Sequence, residues 1–264
     1  MLTAEVVHAE GARYAARVVL VPGLWAGAGA WRGFAGLLGH RGWESHLLDL
    51  RQVPGGLEVR GAAVAAYTTG LGAPAVLVGH DAGGITALAA AAHCRAAAVV
   101  LLAPLAPGSR ASRALVCAPS CLVALLRGRP VPAPAGRRVA LLCGELLEPL
   151  RSRVLRGLGP DDAAFVSEVV WGRVQLAPAV GVPALVVAGE HDPLLAPPDA
   201  SALAEALGAE IRVLVGAGHW PLAGPMWQGA VDLVHRWVVQ TLGEPLLELH
   251  AETMAEREEE EEEE

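Results

Sequence analysis

Ala75-Val76-Leu77-Val78-Gly79-His80-Asp81-Ala82-Gly83-Gly84 decides how this chain is read. Four apolar residues of strand length run straight into a glycine-bounded turn, and an alanine-rich stretch of helical length follows to about Cys94. A turn that passes from strand to helix within so few residues leaves space only for small side chains, and Gly79, Gly83 and Gly84 meet that demand. The residue at its apex is held in strained backbone geometry and projects above the sheet. Here that residue is Asp81. A carboxylate is already ionised at neutral pH and needs no base to activate it. The amino end of the following helix also favours negative charge. The plainer alternative is a strand-to-helix turn with Asp81 as its N-cap.

Outward from this turn, short apolar runs alternate with longer helical stretches. Glu5–His8 and Arg13–Tyr14 suggest a small edge hairpin turning at Gly11. Val18–Val21, closed by Pro22-Gly23, reads as a buried strand. Trp31–His40 follows as a helix, Ser45–Leu50 as a strand and Leu57–Thr69 as a helix. After the turn come strand Ala98–Leu102, strand Ala184–Ala188, helix Asp199–Leu207, strand Ile211–Val215 and helix Met226–Leu242. This alternation predicts an α/β fold with a mostly parallel sheet covered by helices on both faces. Sites in such folds gather at the carboxyl ends of the strands.

Residues 105–180 break the rhythm. Helical patches near Ala114–Arg127 and Pro149–Gly157 flank a proline-rich turn at Pro130–Pro134, and the stretch is expected to form an inserted lid on a core built from 1–104 and 181–243. The lid holds nine arginines between Leu105 and Pro160 against two glutamates, which fits either a solvated basic face or a surface that receives an anionic substrate or carrier protein. Residues 244–264 form a charged tail whose Glu258–Glu264 run cannot pack and is expected to be disordered.

Composition narrows the function classes. The formal charge is −8, but the terminal run supplies seven of those charges, leaving 21 acidic against 20 basic residues. A body so close to neutral gives no reason to expect a nucleic-acid partner. Cys94, Cys117, Cys121 and Cys143 lack metal or redox spacing, and Cys117 and Cys121 fall on one face if they share a helix. All four read as free, buried thiols of a reducing compartment. Without a basic segment followed by an apolar run at the start, or ~18 uninterrupted apolar residues anywhere, a soluble cytoplasmic monomer or homodimer is expected, with no membrane association, no metal and no cofactor, acting on a small-molecule substrate.

Val19-Leu-Val-Pro-Gly-Leu-Trp25, Gly79-His-Asp-Ala-Gly-Gly84, Gly189-Glu-His-Asp-Pro193 and Gly216-Ala-Gly-His219 occur in an order that resembles the α/β-hydrolase superfamily. The Gly-His-Asp-x-Gly-Gly segment is similar to the aspartate-nucleophile branch of epoxide hydrolases and haloalkane dehalogenases. The stretch from Val21 to Trp31 resembles instead the small plant-type esterases and hydroxynitrile lyases. The resemblance implies an α/β-hydrolase fold and an Asp81–His219–Asp192 triad. Asp81 would be the covalent nucleophile and His219 the general base that activates water against an ester of Asp81. Asp192 would orient the imidazole, with Glu190 as the alternative acid. It further implies an oxyanion hole from the backbone N–H groups of Leu24 and Ala82. Trp25 and Trp31 would line the pocket or pack beneath it, and Trp171 and Trp220 are candidates to face substrate. His80 would shape the turn.

A carboxylate nucleophile suits displacement at saturated carbon and suits acyl transfer poorly, because the product would be an anhydride. That favours an epoxide. Dehalogenases of this branch carry a tryptophan directly after the nucleophile, where this chain has Ala82. Epoxide hydrolases donate a proton from lid tyrosines, whereas Tyr14 and Tyr67, the only tyrosines here, both lie outside the lid. Trp171, a lid serine or an ordered water would then replace them. Other readings stay open: a non-hydrolytic tailoring enzyme of secondary metabolism (cyclisation, elimination or decarboxylation), a dehalogenase or esterase-like hydrolase, a binding protein on the same fold, or a chain in which aspartate has been engineered in place of serine.

Overall fold

The computed structural model describes residues 2–174, 176 and 181–243. Strands β1 (Ala4–Val7), β2 (Arg17–Val21), β3 (Ser45–Leu48), β4 (Ala75–His80), β5 (Ala96–Leu102), β6 (Ala184–Gly189) and β7 (Glu210–Leu214) form one sheet in the order β1-β3-β2-β4-β5-β6-β7. All pairings are parallel except β1 with β3. The helices of the core are α1 (Arg32–His40), α2 (Leu57–Thr69) and α3 (Ala82–Ala91). After β5 come α4 (Arg110–Leu115), α5 (Pro119–Leu126), α6 (Val139–Cys143), α7 (Leu150–Gly157) and α8 (Ala163–Val170). The chain then returns to the core with α9 (Pro197–Leu207) and a last helix over residues 227–243.

Side chains two residues apart on a strand share a face, and the central strands obey this closely. Val18, Leu20, Val76, Val78, Val100 and Leu102 join α1, the last helix and the 105–174 segment in one buried cluster. Val19, Val21, Leu77, Val99, Leu101 and Val186 join α2, α3 and α9 in the other. Continuous apolar runs are what a strand covered on both sides requires.

The expected amino-terminal hairpin does not form. Residues 13–14 are not a strand, and β1 pairs with β3 instead. Glu10 and Arg13 give their backbone N–H groups to Gly39 and Gly42, so the chain follows the α1–β3 turn rather than doubling back on β1. The inserted segment is also more broken than expected. Pro119 starts a new helix, so the patch around Ala114–Arg127 is two helices. As a result Cys117 lies exposed between them while Cys121 is buried, and the two share no helical face. Cys94 is partly exposed, so the four free thiols are not uniformly buried. Helix α8, unforeseen, is held by an Asp162 side-chain cap on the Ala164 N–H. The charged tail 244–264 and most of 175–180 lie outside the described residues. No described helix is long and apolar enough to cross a membrane.

Candidate active site

The turn after β4 has the geometry its small residues anticipate. Asp81 sits at φ 55°, ψ −129°, a backbone conformation that costs a non-glycine residue ~1–3 kcal/mol. Its neighbours make the turn possible by their missing side chains. A Cβ on Gly79 would collide with the Gly83 backbone, and one on Gly83 would collide with the carbonyls of Val21 and Pro22. Gly23 is as tightly constrained from across the sheet, since a Cβ there would lie 2.5 Å from Asp81 Cβ.

The Asp81 carboxylate divides its two oxygens. Oδ2 accepts the Leu24 N–H at 2.8 Å. Oδ1 faces His219 Nε2 at 3.6 Å, and among the described residues neither buried atom has a hydrogen-bond partner. Ala82, the other residue expected to donate, opens α3 directly after Asp81. On the far side of the imidazole, His219 Nδ1 and Asp192 Oδ2 are 2.9 Å apart. The other Asp192 oxygen is fixed by the N–H groups of Leu194 and Leu195. Glu190 is turned away and accepts the Gly216 N–H. So Asp81, His219 and Asp192, far apart in sequence, form one buried row at the carboxyl ends of β4, β7 and β6.

Burial alone would push the His219 pKa down, but Asp192 and then Asp81 outweigh it and raise it to about 10. The imidazole is therefore a cation between two carboxylates. His80 behaves oppositely. It is wholly buried, and burial together with the charge on His219 lowers it to about 4. Neutral His80 donates its Nε2–H to the His219 carbonyl at 2.8 Å, tying the turn after β4 to the histidine loop. This row can hold a proton between carboxylates and present a carboxylate oxygen to an electrophile, and its imidazole can serve as a base to water only once the Asp81 charge that helps hold the proton is removed.

The tryptophans separate. Trp220 is buried, its ring edge-on to His80 with centroids 5.0 Å apart. Trp31 packs beneath, edge-on to Phe34 and His80. Trp25 is fully buried and donates its indole N–H to the Val131 carbonyl. Trp171 does not join them, being 42 % exposed just past the end of α8. Neither tyrosine is at the row: Tyr14 stacks on Trp43, and Tyr67 bonds His46.

Contacts that the sequence did not point to come from the inserted segment. Glu145 accepts the Trp220 N–H at 2.6 Å, and its carboxyl group lies so close to Gly218 that a Cβ there would approach it to 2.6 Å. It thus grips the backbone on both sides of His219. Its one signal was that it is one of only two glutamates set against nine arginines in that stretch. Asp161, buried and paired with Arg60, accepts the Trp25 N–H at 2.9 Å. Asp81 is only 3 % exposed and His219 not exposed at all, so the row is closed off from solvent in this structure. A groove of about 1,320 Å³ runs elsewhere, between α2 and α3, and neither Asp81 nor His219 lines it.

Residues 18–228 match the model of the alpha/beta hydrolase family. The chain belongs to that family. The fold also matches a monoacylglycerol lipase from Paleococcus ferrophilus (TM-score 0.70, 21 % identity, 91 % of this chain and 99 % of that one). A thermophilic esterase from Thermogutta terrifontis aligns with TM-score 0.64 and 22 % identity over 91 % and 93 % of the two chains. A lipase-esterase related protein from Clostridium acetobutylicum aligns with TM-score 0.68 and 14 % identity over 89 % and 99 %. Comparison with curated protein sequences finds no match. The chain is thus an alpha/beta hydrolase in fold and family, and identities this low carry nothing further.

Proposed function

We propose that this hydrolase forms an ester on Asp81 and then hydrolyses it with water activated by His219, and that its substrate is a small apolar epoxide. One observation carries the reading: the two Asp81 oxygens have different surroundings. Oδ1 has no hydrogen-bond partner among the described residues and is available to attack carbon. Oδ2 already rests on the Leu24 N–H, where negative charge would gather when water adds to Cγ. Asp192 keeps the imidazole oriented through both steps.

The electrophile follows from the nucleophile. Acyl transfer to Asp81 would give an anhydride, which separates this chain from an ordinary esterase despite the shared fold. A halide would leave against Ala82, which has no donor side chain. An epoxide is activated by its ring strain. In-line attack by Oδ1 carries the ring oxygen away from Asp81, and with both tyrosines engaged elsewhere its proton comes from water admitted with the substrate, the hydroxide left behind taking the proton that His219 held against the former Asp81 charge.

Single turnover of styrene oxide in ¹⁸O-water tests this. The expected result is one heavy oxygen in the peptide bearing Asp81 and an unlabelled oxygen delivered to the diol. Label in the diol with none in Asp81 would overturn covalent catalysis. The closed row and the missing tyrosines favour a second reading, in which Asp81 and His219 act as acid and base in a non-hydrolytic rearrangement. That reading requires a product that gains no water.

A further inference from the structure

We infer that Asp161 is a positioning residue: with Arg60 it forms a buried clamp that holds the Leu24 N–H on Asp81 Oδ2, and it thereby governs the hydrolysis step rather than the alkylation step. The inference rests on the Asp81-ester reading above.

The clamp begins with an ion pair that stability alone does not explain. Arg60 on α2 and Asp161 between α7 and α8 lie 2.5 Å apart with side chains only 2 % and 1 % exposed. Removing two charges from water offsets most of what their attraction returns, so such a pair is a weak source of stability. What it does do is fix geometry. Arg60 is itself immobilised, with its guanidinium 4.2 Å from the centre of the Phe165 ring and its Nε–H on the Val53 carbonyl. Asp161 Oδ1 takes Arg60 and the Asp162 N–H, and Oδ2 is left for one recipient, the Trp25 N–H.

Trp25 needs such a hold. Its φ of 63° is left-handed, a conformation that bulky aromatic residues rarely adopt. Every polar group it has is pinned to the inserted segment. The N–H goes to Asp161, the carbonyl accepts the Gly159 N–H, and the indole N–H goes to Val131. Val131 and Asp161 are themselves joined by a pair of backbone bonds at 2.7 and 3.0 Å. The residue before Trp25 is Leu24. If Trp25 relaxes to an extended conformation, the 22–25 loop turns and the Leu24 N–H leaves Asp81.

In the step at stake, with Asp81 esterified and His219 now neutral, a water oxygen bonds to Asp81 Cγ while His219 Nε2 takes one water proton. The carbonyl electron pair moves onto Oδ2, facing the Leu24 N–H. The pair then returns, the Cγ–O(alkyl) bond breaks, and the alkoxide takes the proton from His219. The second water proton is lost to solvent, leaving the carboxylate and the alcohol. Alkylation by Oδ1 builds no such charge on Oδ2.

The test is rapid-quench mass spectrometry of the Asp81 ester with styrene oxide, comparing wild type with Asp161→Asn. Asparagine keeps an acceptor but loses the charge that fixes Arg60. We expect ester formation within about threefold of wild type and ester hydrolysis slower by about 10²-fold, as for loss of an oxyanion donor, so that ester accumulates. Arg60→Lys, which preserves the charge but not the planar fork, gives the same direction should Asp161→Asn not fold. Amide exchange at residues 24 and 25 reads the geometry without substrate, and is expected to quicken at least about tenfold in either variant. Equal slowing of both steps, or unchanged hydrolysis and exchange in a folded variant, overturns the clamp. A wild-type chain that never carries the ester overturns the Asp81 reading instead.

Discussion

His219 has two sides that differ in kind. Towards Asp192 every polar atom is satisfied: Oδ2 on Nδ1 at 2.9 Å, Oδ1 on two backbone N–H groups. Towards Asp81 the atoms that face each other, Nε2 and Oδ1, stand 3.6 Å apart, buried and without partners. A buried polar atom left unpaired costs about 1–3 kcal/mol. Such atoms are uncommon in folded proteins, and a catalytic role or a bound water is among the reasons they persist. The closed side therefore sets direction, and the open side is where a reacting molecule would enter.

The largest effect is expected on the open side. Asp81→Ala removes the attacking oxygen, and epoxide turnover should fall by at least about 10⁴-fold, to the background left by binding alone. Asp81→Ser is the sharper version. Gly23 packs against Asp81 Cβ, so the turn accepts a side chain that branches no earlier than serine does. Serine there, beside an unchanged His219, should lose the epoxide and gain measurable hydrolysis of p-nitrophenyl acetate. A serine variant inert towards both substrates would show that the open side is not aimed for attack.

On the closed side, Asp192→Asn should keep the fold, since asparagine can still accept from Leu194 and Leu195. It would fix the wrong imidazole tautomer, and ester hydrolysis should slow by about 10³–10⁴-fold with the ester on Asp81 accumulating. A change under tenfold would mean that Asp192 does not orient the base. Glu145→Ala acts one layer further out. It strands the Trp220 N–H, and the resulting loosening of the histidine loop should lower turnover about tenfold, in line with one lost charge-assisted hydrogen bond. Glu145→Gln, which keeps an acceptor, should recover most of it.

The two sides were unequally legible in the sequence. The open side was readable because its constraints are local: a tight turn needs Gly79, Gly83 and Gly84, and the apex residue is then Asp81. Asp192 and His219 could be placed because they follow strands, and a parallel sheet brings strand ends together. The inserted segment obeys neither rule. Asp161 and Glu145 act through contacts 136 and 75 residues away in the chain, and no period or spacing marks them. The false hairpin at Arg13–Tyr14 failed for a related reason. The partner of β1 was set by the sheet edge at β3, not by the turn at Gly11.

The smallest effect is on stability, and it tests whether the charge assigned to each side is right. His219 is raised to about 10 by Asp192 and Asp81, against about 6.5 when unfolded. Between those values the folded chain holds a proton that the unfolded chain has lost, so stability falls as pH rises through that window. His80 is lowered to about 4. Between about 4 and 6.5 the unfolded chain holds the extra proton, and stability falls as pH drops. Side by side, the two histidines place a maximum of Tm near pH 6.5. Other carboxylates also titrate on the acid limb, so the difference between wild type and His80→Gln is the quantity to follow. Glutamine can still donate to the His219 carbonyl, and the difference should shrink by a few degrees of Tm as pH falls from 6.5 to 4, while remaining flat from 6.5 to 8. In His219→Gln the alkaline decline should disappear instead. If His80→Gln flattened the alkaline limb and left the acid one, the proton would reside on His80, and the ordering of a charged His219 between two carboxylates would be reversed.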